Sequence, residues 1–277
     1  MKPAAVDYVR ARSLAEAFDL LARPNIDARV MAGGQSLVAM MNLRIASPDL
    51  LVDIARLPEL GASTEDDSTV SYGACVTHAT IEDRRVPDPS RGLMPRVAEG
   101  LAYRAIRNRG TLGGSLALAD PAAEWPSVLA ALDAAAVIAG PNGTRSVMCK
   151  EFVTGVFQTR LAEGEILTAI RIPKLSAEAR WGYVKLARKS GEFATSLAVA
   201  VRDPARGYAR VVLGAADGAP LILDNASRLC SGGSLDHAAA RDAIAADFTG
   251  AADRQFDDFR HNLHAVAALR AMIQACA

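Results

Sequence analysis

Residues 106–125 read I-R-N-R-G-T-L-G-G-S-L-A-L-A-D-P-A-A-E-W, a stretch that combines glycines, hydroxyl side chains and carboxylates. Its glycines, Gly110, Gly113 and Gly114, are predicted to lie in a short loop. Adjacent glycines carry no Cβ, so their backbone can adopt φ > 0 and lie flat against a bulky group. Free N–H groups in such a loop form a concave anion site, to which neighbouring hydroxyls add donors. The stretch therefore predicts a phosphate-binding loop.

A second glycine pair lies earlier, in the stretch A-G-G-Q-S-L at residues 32–37. Two such loops, each followed by a small polar residue and an apolar run, predict one diphosphate held from two sides. The simpler interpretation of a glycine pair is a tight turn, which we expect for residues 231–234, S-G-G-S. Neither G-x-G-x-x-G nor G-x-x-x-x-G-K-[ST] occurs, which disfavours Rossmann and P-loop nucleotide binding.

Composition limits the class of protein. The chain has 277 residues, 51% of them hydrophobic, which suffices for a large core and more than one domain. Lys+Arg and Asp+Glu balance at 31 each, so there is no electrostatic reason to expect nucleic acid or an anionic membrane as partner. No apolar run reaches the ~18–20 residues that span a bilayer, and residues 1–8 lack the apolar centre of a signal peptide. We therefore expect a cytoplasmic protein without a membrane span.

The sequence carries no pattern of metal ligands. Its four cysteines are widely separated and form no C-x-x-C: Cys75, Cys149, Cys230 and Cys276. An iron–sulfur cluster or structural zinc within this chain is therefore not expected, and the thiols are predicted to be reduced and mostly buried. His261 and His264 fall in a helical pattern, and surface positions are predicted for both rather than metal ligation.

Hydrophobic periodicity predicts a β–α–β unit around the first glycine pair. A capping box at Ser13 opens a helix through about Leu21. A strand at 27–31 leads into the glycine loop, and a helix at 37–43 and a buried strand at 49–54 follow it. The glycine loop is thus predicted to connect a strand to a helix.

Mixed elements surround the second glycine pair. Strand 69–74 follows a polar turn at 65–68, and Thr77 is predicted to cap a helix at 79–85. The other predicted elements are helices at 94–106 and 121–132, a hairpin of strands 135–139 and 144–148 about P-N-G at 141–143, and a strand at 166–172.

A polar stretch at 174–180 indicates a domain boundary. Beyond it, three β-like runs suit an antiparallel meander and two helical segments close the chain. These are strands at 181–187, 196–202 and 209–215 and helices at about 235–246 and 253–276. The predicted class is α+β, with a two-lobed binding domain at 1–175 (lobes about 1–57 and 58–175) and a smaller domain at 178–277.

Three segments together resemble a known family: A-G-G-Q-S-L at 32–37, R-N-R-G-T-L-G-G-S at 107–115 and A-D-P-A-A-E at 119–124. They resemble the FAD-binding medium subunit of the molybdenum hydroxylases, the family of carbon monoxide dehydrogenase flavoproteins and the flavin domain of xanthine dehydrogenase. The order of elements matches over nearly the whole chain. The resemblance implies a two-lobed FAD-binding domain of the vanillyl-alcohol-oxidase type. A C-terminal α+β domain like that of carbon monoxide dehydrogenase flavoproteins would follow it.

The resemblance also implies which residues hold FAD. Those of the first lobe, around the pyrophosphate, are Ala32, Gly33, Gly34, Gln35, Ser36 and Leu37. Those of the second lobe are Thr111, Gly113, Gly114 and Ser115. Gln35 stands where the family often has His or Thr, and its amide still offers a donor.

Further cofactor contacts are implied outside the glycine loops. Glu124 occupies the place of a family Asp that bonds the cofactor, and it keeps the acceptor chemistry. Leu101 and Leu167 fall at apolar positions that contact the cofactor. Lys185 matches a family Lys that reaches the flavin from the C-terminal domain, where a cation near the N1–C2 carbonyl edge stabilises the reduced ring. A surface lysine at a strand edge is the alternative for Lys185.

Three charged residues near the second glycine pair are not assigned to the cofactor. Arg107 and Arg109 either assist in phosphate binding or face solvent. Asp120, followed by Pro121, is predicted to be a helix N-cap rather than a chemical group.

The function implied by the resemblance is electron transfer. In the family, a large molybdopterin subunit hydroxylates the substrate, and a small two-iron two-sulfur subunit relays electrons to FAD, which passes them to NAD, a quinone or oxygen. No catalytic side chain is expected, because the flavin ring does the redox chemistry. The alternatives are a stand-alone FAD oxidoreductase acting on its own small substrate and a scaffold that has lost the cofactor. The intact glycine pairs disfavour the scaffold.

Overall fold

A computed structural model describes residues 2–251, 254 and 256–277. Its first lobe comprises β1 (Asp7–Arg10), α1 (Leu14–Leu21), β2 (Ala28–Met31), α2 (Leu37–Asn42), β3 (Leu50–Asp53) and α3 (Pro58–Gly61). The three strands form a parallel sheet in the order β1-β3-β2. All residues of β3 are buried, as expected for a central parallel strand. The predicted β–α–β unit is confirmed.

The first lobe also shows where local patterns succeed and fail. Ser13 caps α1, since its side chain accepts a hydrogen bond from the Glu16 N–H. The Glu16 carboxylate does not complete the predicted capping box, because it accepts from the N–H of Arg12. Strand β1 was not predicted, since its mostly exposed D-Y-V-R sequence becomes a strand only by pairing with β3.

The second lobe is built on an antiparallel sheet of order β4-β5-β10-β6-β7. Its first part comprises β4 (Ser63–Glu65), β5 (Thr69–Gly73), α4 (His78–Glu82), α5 (Leu93–Glu99), α6 (Arg104–Arg107), α7 (Leu112–Leu118) and α8 (Glu124–Ala131). Its second part comprises β6 (Ala135–Gly140), β7 (Gly143–Met148), α9 (Cys149–Phe152), β8 (Val153–Gly155), β9 (Gln158–Thr159) and β10 (Ile166–Pro173). The predicted hairpin at 135–148 and the cap at Thr77 are confirmed.

Two helix predictions in the second lobe are wrong in extent. The predicted helix 94–106 is interrupted: α5 ends at Glu99, Gly100 forms its C-cap, and Ala102 has φ 39°. The interruption frees Leu101 to pair with Gly191 of the C-terminal domain in an isolated bridge. The predicted helix 121–132 begins only at Glu124, because the preceding segment forms a turn.

The C-terminal domain comprises β11 (Arg180–Leu186), β12 (Ser196–Asp203), β13 (Tyr208–Gly214), β14 (Leu221–Ile222), α10 (Asp224–Ser231), α11 (His237–Gly250) and α12 (Asp258–Ala275). Its strands form the predicted antiparallel meander. The last predicted helix, 253–276, starts at Asp258 behind an Asp257 cap, and residue 253 lies outside the described residues. Helix α10 was not predicted because its D-N-A-S-R-L-C-S sequence is mostly polar, and the S-G-G-S segment forms the expected turn at its end.

Strand β12 joins the two domains because both of its faces are buried. Val199 and Val201 belong to the large core shared with the second lobe and α8. Ala198 and Ala200, which point to the opposite face, belong to the core beneath α10, α11 and α12. The C-terminal sheet is therefore held between helices of two domains. This packing brings β11 beside the start of α8.

One predicted surface residue is buried. His264 on α12 has no exposed surface, and its Nδ1 lies 2.8 Å from the Ser196 hydroxyl, whereas His261 is exposed as predicted. Burial lowers the pKa of His264 to about 4. The prediction for His264 is wrong because α12 packs against β11 and β12 on the side that carries it.

Within residues 2–251, 254 and 256–277, no helix combines the length and apolar composition that crossing a membrane requires. In the same ranges, no group of three or more His, Cys, Asp or Glu side chains is arranged to hold a metal ion.

Candidate functional site

The first glycine loop, residues 32–36, connects the C-terminal end of β2 to the start of α2. Gly34 has φ +71°, which explains a glycine there. The backbone N–H groups of Gly33, Gly34, Gln35 and Ser36 donate to no group among the described residues. Ser36 precedes α2 without capping it, and the Gln35 amide folds back to donate to the Gly33 carbonyl at 3.1 Å. The loop thus presents a run of free donors suited to an anion.

The second glycine pair is not in a loop, contrary to the prediction. Gly113 and Gly114 form the first turn of α7, and neither has positive φ. Their N–H groups are used internally: Gly113 donates to the Ala74 carbonyl at 2.9 Å, and Gly114 donates to the Thr111 hydroxyl at 3.0 Å. Thr111 is therefore the N-cap of α7. The exposed part of this element offers the Ser115 hydroxyl rather than a run of amides.

Close packing explains the glycines of the second element. A Cβ on Gly113 would lie 2.5 Å from the Cβ of Ala74 and 2.8 Å from its Cα. A Cβ on Gly110 would lie 2.9 Å from the His78 ring. These positions need glycine because another part of the backbone or a ring occupies the space, and not because of their φ angles.

The two glycine elements touch each other. A Cβ on Gly33 would overlap the carbonyl oxygen of Arg109, and it would lie 2.9 Å from the Cα of Gly110. A Cβ on Gly114 would lie 3.8 Å from the Cβ of Ala32. The free amides of the first loop therefore lie at the junction of the two lobes. The sequence prediction that both pairs meet at one place is consistent with this contact.

A buried ion pair joins the second lobe to the C-terminal domain beside α8. The Lys185 ammonium of β11 donates to Glu124 at 2.6 Å and to the Gly100 carbonyl at 3.3 Å. The two side chains are only 12% and 3% exposed. Burial raises the pKa of Glu124, and the ammonium opposes that rise. Two residues predicted separately as cofactor contacts are thus partners of each other, and Lys185 is not a surface lysine.

His78 packs against the second glycine element, residues 110–115. Its Nδ1 accepts a hydrogen bond from the Trp125 indole N–H at 3.1 Å, and its backbone N–H donates to the Gly110 carbonyl at 2.9 Å. Burial lowers the pKa of His78 to about 4, and the nearby Arg107 adds to this effect. A neutral imidazole therefore packs under Gly110. Sequence reasoning missed this role, since one histidine in T-H-A carries no pattern of its own.

Arg107 and Asp120 have structural roles. Arg107 is 12% exposed, forms an ion pair with Glu82 and donates to the carbonyl of Leu101. It is therefore not free for phosphate, whereas Arg109 is exposed. Asp120 does not cap α8, contrary to the prediction, because its carboxylate accepts from the N–H of Ala122 within the preceding turn.

The remaining candidates lie in different surroundings. Leu101 is half-buried at the bridge between the second lobe and the C-terminal domain. Leu167 is 4% exposed on β10 and belongs to the large core. An open groove of about 650 Å³ lies next to Lys185. Its charged lining residues, besides Lys185, are Arg96, Glu99, Lys189 and Arg270.

Known proteins resemble this chain over most of its length. The family of the FAD binding domain in molybdopterin dehydrogenase matches residues 4–175. The carbon monoxide dehydrogenase medium chain of Hydrogenophaga pseudoflava is 36% identical over 224 residues, which cover 80% of this chain and 78% of that protein. The nicotine 6-hydroxylase medium subunit of Paenarthrobacter nicotinovorans is 34% identical over 238 residues, which cover 85% and 83%.

Solved structures show the same fold. Carbon monoxide dehydrogenase from Hydrogenophaga pseudoflava, in a form that lacks the Mo-pyranopterin moiety, matches with a TM-score of 0.92 at 32% identity over 99% of this chain and 98% of that chain. Quinoline 2-oxidoreductase from Pseudomonas putida 86 matches with a TM-score of 0.88 at 33% identity over 100% and 98%. These matches confirm the predicted fold class, family and cofactor. The chain belongs to the FAD-binding family of the molybdopterin dehydrogenases, the flavoprotein subunits of molybdenum hydroxylases.

Proposed function

We propose that this chain holds FAD at the junction of its two lobes and transfers electrons from the iron–sulfur clusters of a partner subunit to a final acceptor. The observation that carries the proposal is the run of free backbone N–H groups from Gly33 to Ser36, placed against the second glycine element. Backbone N–H groups can bind a phosphate without burying a positively charged side chain beside it. FAD supplies the redox chemistry when it is bound, and the protein supplies position and electrostatics.

The two lobes would contribute differently to cofactor binding. In the first lobe, the amides of residues 33–36 hold the pyrophosphate, with Ala32 and Leu37 completing the turn. In the second lobe, the Ser115 hydroxyl donates to the cofactor. Thr111, Gly113 and Gly114 form the first turn of α7, where the glycines lack Cβ atoms and let the cofactor approach the backbone closely. This division follows from which N–H groups are free and which are used within the protein.

Beyond the loops, Glu124, Lys185, Leu101 and Leu167 are proposed to complete the site. Lys185 stands at the domain junction with its charge held by Glu124. A cation fixed in this way would lower the energy of negative charge on the reduced flavin. Since the pair is buried on both sides, removing one partner is expected to cost about 3 kcal/mol of stability by leaving an unpaired buried charge.

The role of Lys185 is testable with Lys185→Met, which keeps most of the side-chain volume. We expect FAD to remain bound with its midpoint potential lowered by about 30 mV or more, equivalent to ~1.4 kcal/mol for a two-electron couple. Spectroelectrochemical titration measures this shift. The double variant Lys185→Met/Glu124→Gln controls for stability, because it removes both charges. An unchanged potential together with unchanged FAD affinity would show that Lys185 has no role at the flavin.

The partners are proposed to be a small two-iron two-sulfur subunit and a large molybdopterin subunit, assembled in the cytoplasm. The support is that the relatives of this chain are medium chains or subunits of multi-subunit dehydrogenases and hydroxylases. Within the chain, we propose an FAD-binding domain at 1–175, with lobes about 1–57 and 58–175, and a C-terminal domain at 178–277.

Purification of the tagged chain from its own host tests the proposal as a whole. Its visible spectrum and its iron and molybdenum content are measured on the same particle. FAD together with iron and molybdenum supports the three-subunit enzyme. FAD alone, with turnover of a small substrate, supports the alternative of a stand-alone flavoenzyme. Absence of flavin, even after FAD is added back, contradicts both.

A further inference from the structure

Two cysteine side chains meet in the C-terminal domain, away from the FAD residues. Cys230 lies in the last turn of α10, and Cys276 follows the last residue of α12. Their Sγ atoms are 3.4 Å apart although the residues are 46 positions apart in sequence. Both are free thiols, Cys230 buried and Cys276 partly exposed. A disulfide bond is about 2.0 Å long, so a shift of little more than an ångström would allow bonding.

We propose that Cys230 and Cys276 form an oxidation site, a dithiol that a hydroperoxide converts to an intramolecular disulfide. The accessible partner, Cys276, attacks the peroxide as a thiolate and takes one oxygen to become a sulfenic acid, with the peroxide O–O bond broken. The Cys230 sulfur then attacks the Cys276 sulfur, and water leaves. In sum, two thiols and one hydrogen peroxide give one disulfide and two waters.

A half-buried cation lies near the pair. Arg202 of β12 lowers the pKa of the Cys230 thiol, against the larger rise caused by burial and by the neighbouring Cys276. The Arg202 Nε is buried and has no hydrogen-bond partner among the described residues. The positive charge of Arg202 therefore favours a sulfur that becomes negative during the reaction.

The other two cysteines provide a contrast within the same chain. Cys75 and Cys149 are both buried, far apart in sequence and without a second thiol as hydrogen-bond partner in the described structure. Burial raises the pKa of Cys75 to about 12 and that of Cys149 further. The pKa of Cys230 is raised by burial too, so the contrast rests on Cys276, which is partly exposed and has a second thiol 3.4 Å away. Oxidation is therefore expected to be selective.

The pair also lies at the end of a helix that supports the candidate site. Gln274, two positions before Cys276, accepts a hydrogen bond from the Tyr183 backbone N–H at 2.9 Å. Tyr183 lies on β11, two positions before Lys185. A disulfide would fix the last turn of α12 to α10 and would therefore stabilise the support of this strand.

The test uses the full chain, reduced with dithiothreitol, freed of it and exposed to stoichiometric hydrogen peroxide. After denaturation, N-ethylmaleimide counts the remaining thiols by intact mass. Of the four cysteines, we expect two to lose reactivity and two to remain. Peptide mapping should show Cys230 linked to Cys276, with a melting temperature raised by about 5 °C and both changes reversed by dithiothreitol.

Two variants distinguish this site from general oxidation. Cys276→Ser should abolish the loss of two thiols, whereas Cys75→Ser should still form the linked peptide. Four reactive thiols after peroxide treatment would overturn the proposal. So would a sulfinic or sulfonic acid at Cys276 without any linked peptide, because it would show that Cys230 cannot reach the oxidised sulfur.

Discussion

The two glycine pairs look alike in the sequence and do opposite things in the structure. The first forms a loop with Gly34 at positive φ and with N–H groups that donate to no group in the described part of the chain. The second forms the start of helix α7, with its N–H groups already bonded and with Gly113 packed against Ala74. One pair is available for a ligand, and the other is needed for packing. A glycine pair therefore identifies a place of close approach without saying what approaches.

The difference also separates binding from folding. The side chains of Gln35 and Ser36 are exposed, so they can change without disturbing a hydrophobic core. Changes at residues 110–114 act on the core through Ala74 and His78. Substitutions of the exposed side chains in the first loop should mainly affect FAD affinity, and those at residues 110–114 should mainly affect stability.

The largest effect is expected for Gly113→Ala. The new methyl group would lie 2.5–2.8 Å from three atoms of Ala74, two of them backbone. Neither backbone can move far, so the free energy of unfolding should fall by about 3 kcal/mol. Urea unfolding measures it, with Gly61→Ala as the control because a Cβ there meets nothing within 4 Å. Equal losses in both variants would mean that close packing does not explain Gly113.

Lowering the pH should destabilise the packing of His78 against the second glycine element. The pKa of His78 falls from 6.5 unfolded to about 4 folded, so the unfolded state binds the proton first. Stability that is present above pH 6.5 is therefore lost as the pH falls toward 4, by about 2–3 kcal/mol from His78. The first glycine loop should not contribute to this pH dependence, because no side chain of residues 32–37 is ionisable. Urea unfolding at pH 7 and pH 4.5 tests this.

His78→Phe provides the comparison for the acid experiment. The variant keeps a ring under Gly110 but removes the titrating group. His264 remains in both proteins and contributes a similar loss, since its pKa also falls to about 4. The pH dependence should therefore become smaller in His78→Phe without disappearing. An identical pH dependence in both proteins would exclude His78 as a source.

The smallest effects compare the hydroxyls that precede the two helices. Thr111→Ala removes the cap of α7 and should lower the free energy of unfolding by about 1 kcal/mol. Ser36→Ala removes a side chain that makes no cap bond, so stability should change by less than about 0.5 kcal/mol. FAD affinity should fall more in Ser36→Ala than in Thr111→Ala. The reverse ranking in both measurements would contradict the separation of roles.

Much of this fold follows from local sequence, and the failures have physical causes. Periodicity and capping residues predicted the strand, loop and helix around residues 32–36, and the meander of the C-terminal domain. Strand β1 and the break at residues 100–103 depend on contacts with distant partners, β3 and Gly191, which no local pattern contains. His264 was misplaced for the same reason, since only the packing of α12 on β11 and β12 buries it.

The candidate site, like the fold, could be predicted only in part from the sequence. Both glycine pairs, Glu124 and Lys185 were identified from their residue types and from the resemblance to the family. The pairing of Glu124 with Lys185 joins residues 61 positions apart, and it required the C-terminal domain to be placed against α8. The hydrogen bond from Trp125 to His78 likewise depends on tertiary packing. The sequence therefore identified the residues of the site, whereas the contacts between them depend on the tertiary fold.

The most direct measurement is an FAD titration, by quenching of flavin fluorescence, of the unmodified chain and of Gly33→Ala. We predict that one FAD binds per chain. Affinity should be at least about tenfold weaker in the variant, because its methyl group separates the free amides from the second glycine element. The same methyl group overlaps the Arg109 carbonyl, so urea unfolding and circular dichroism establish that the variant is folded under the titration conditions. Equal affinity in the two proteins, or no FAD binding by the unmodified chain, would contradict a cofactor held at this junction.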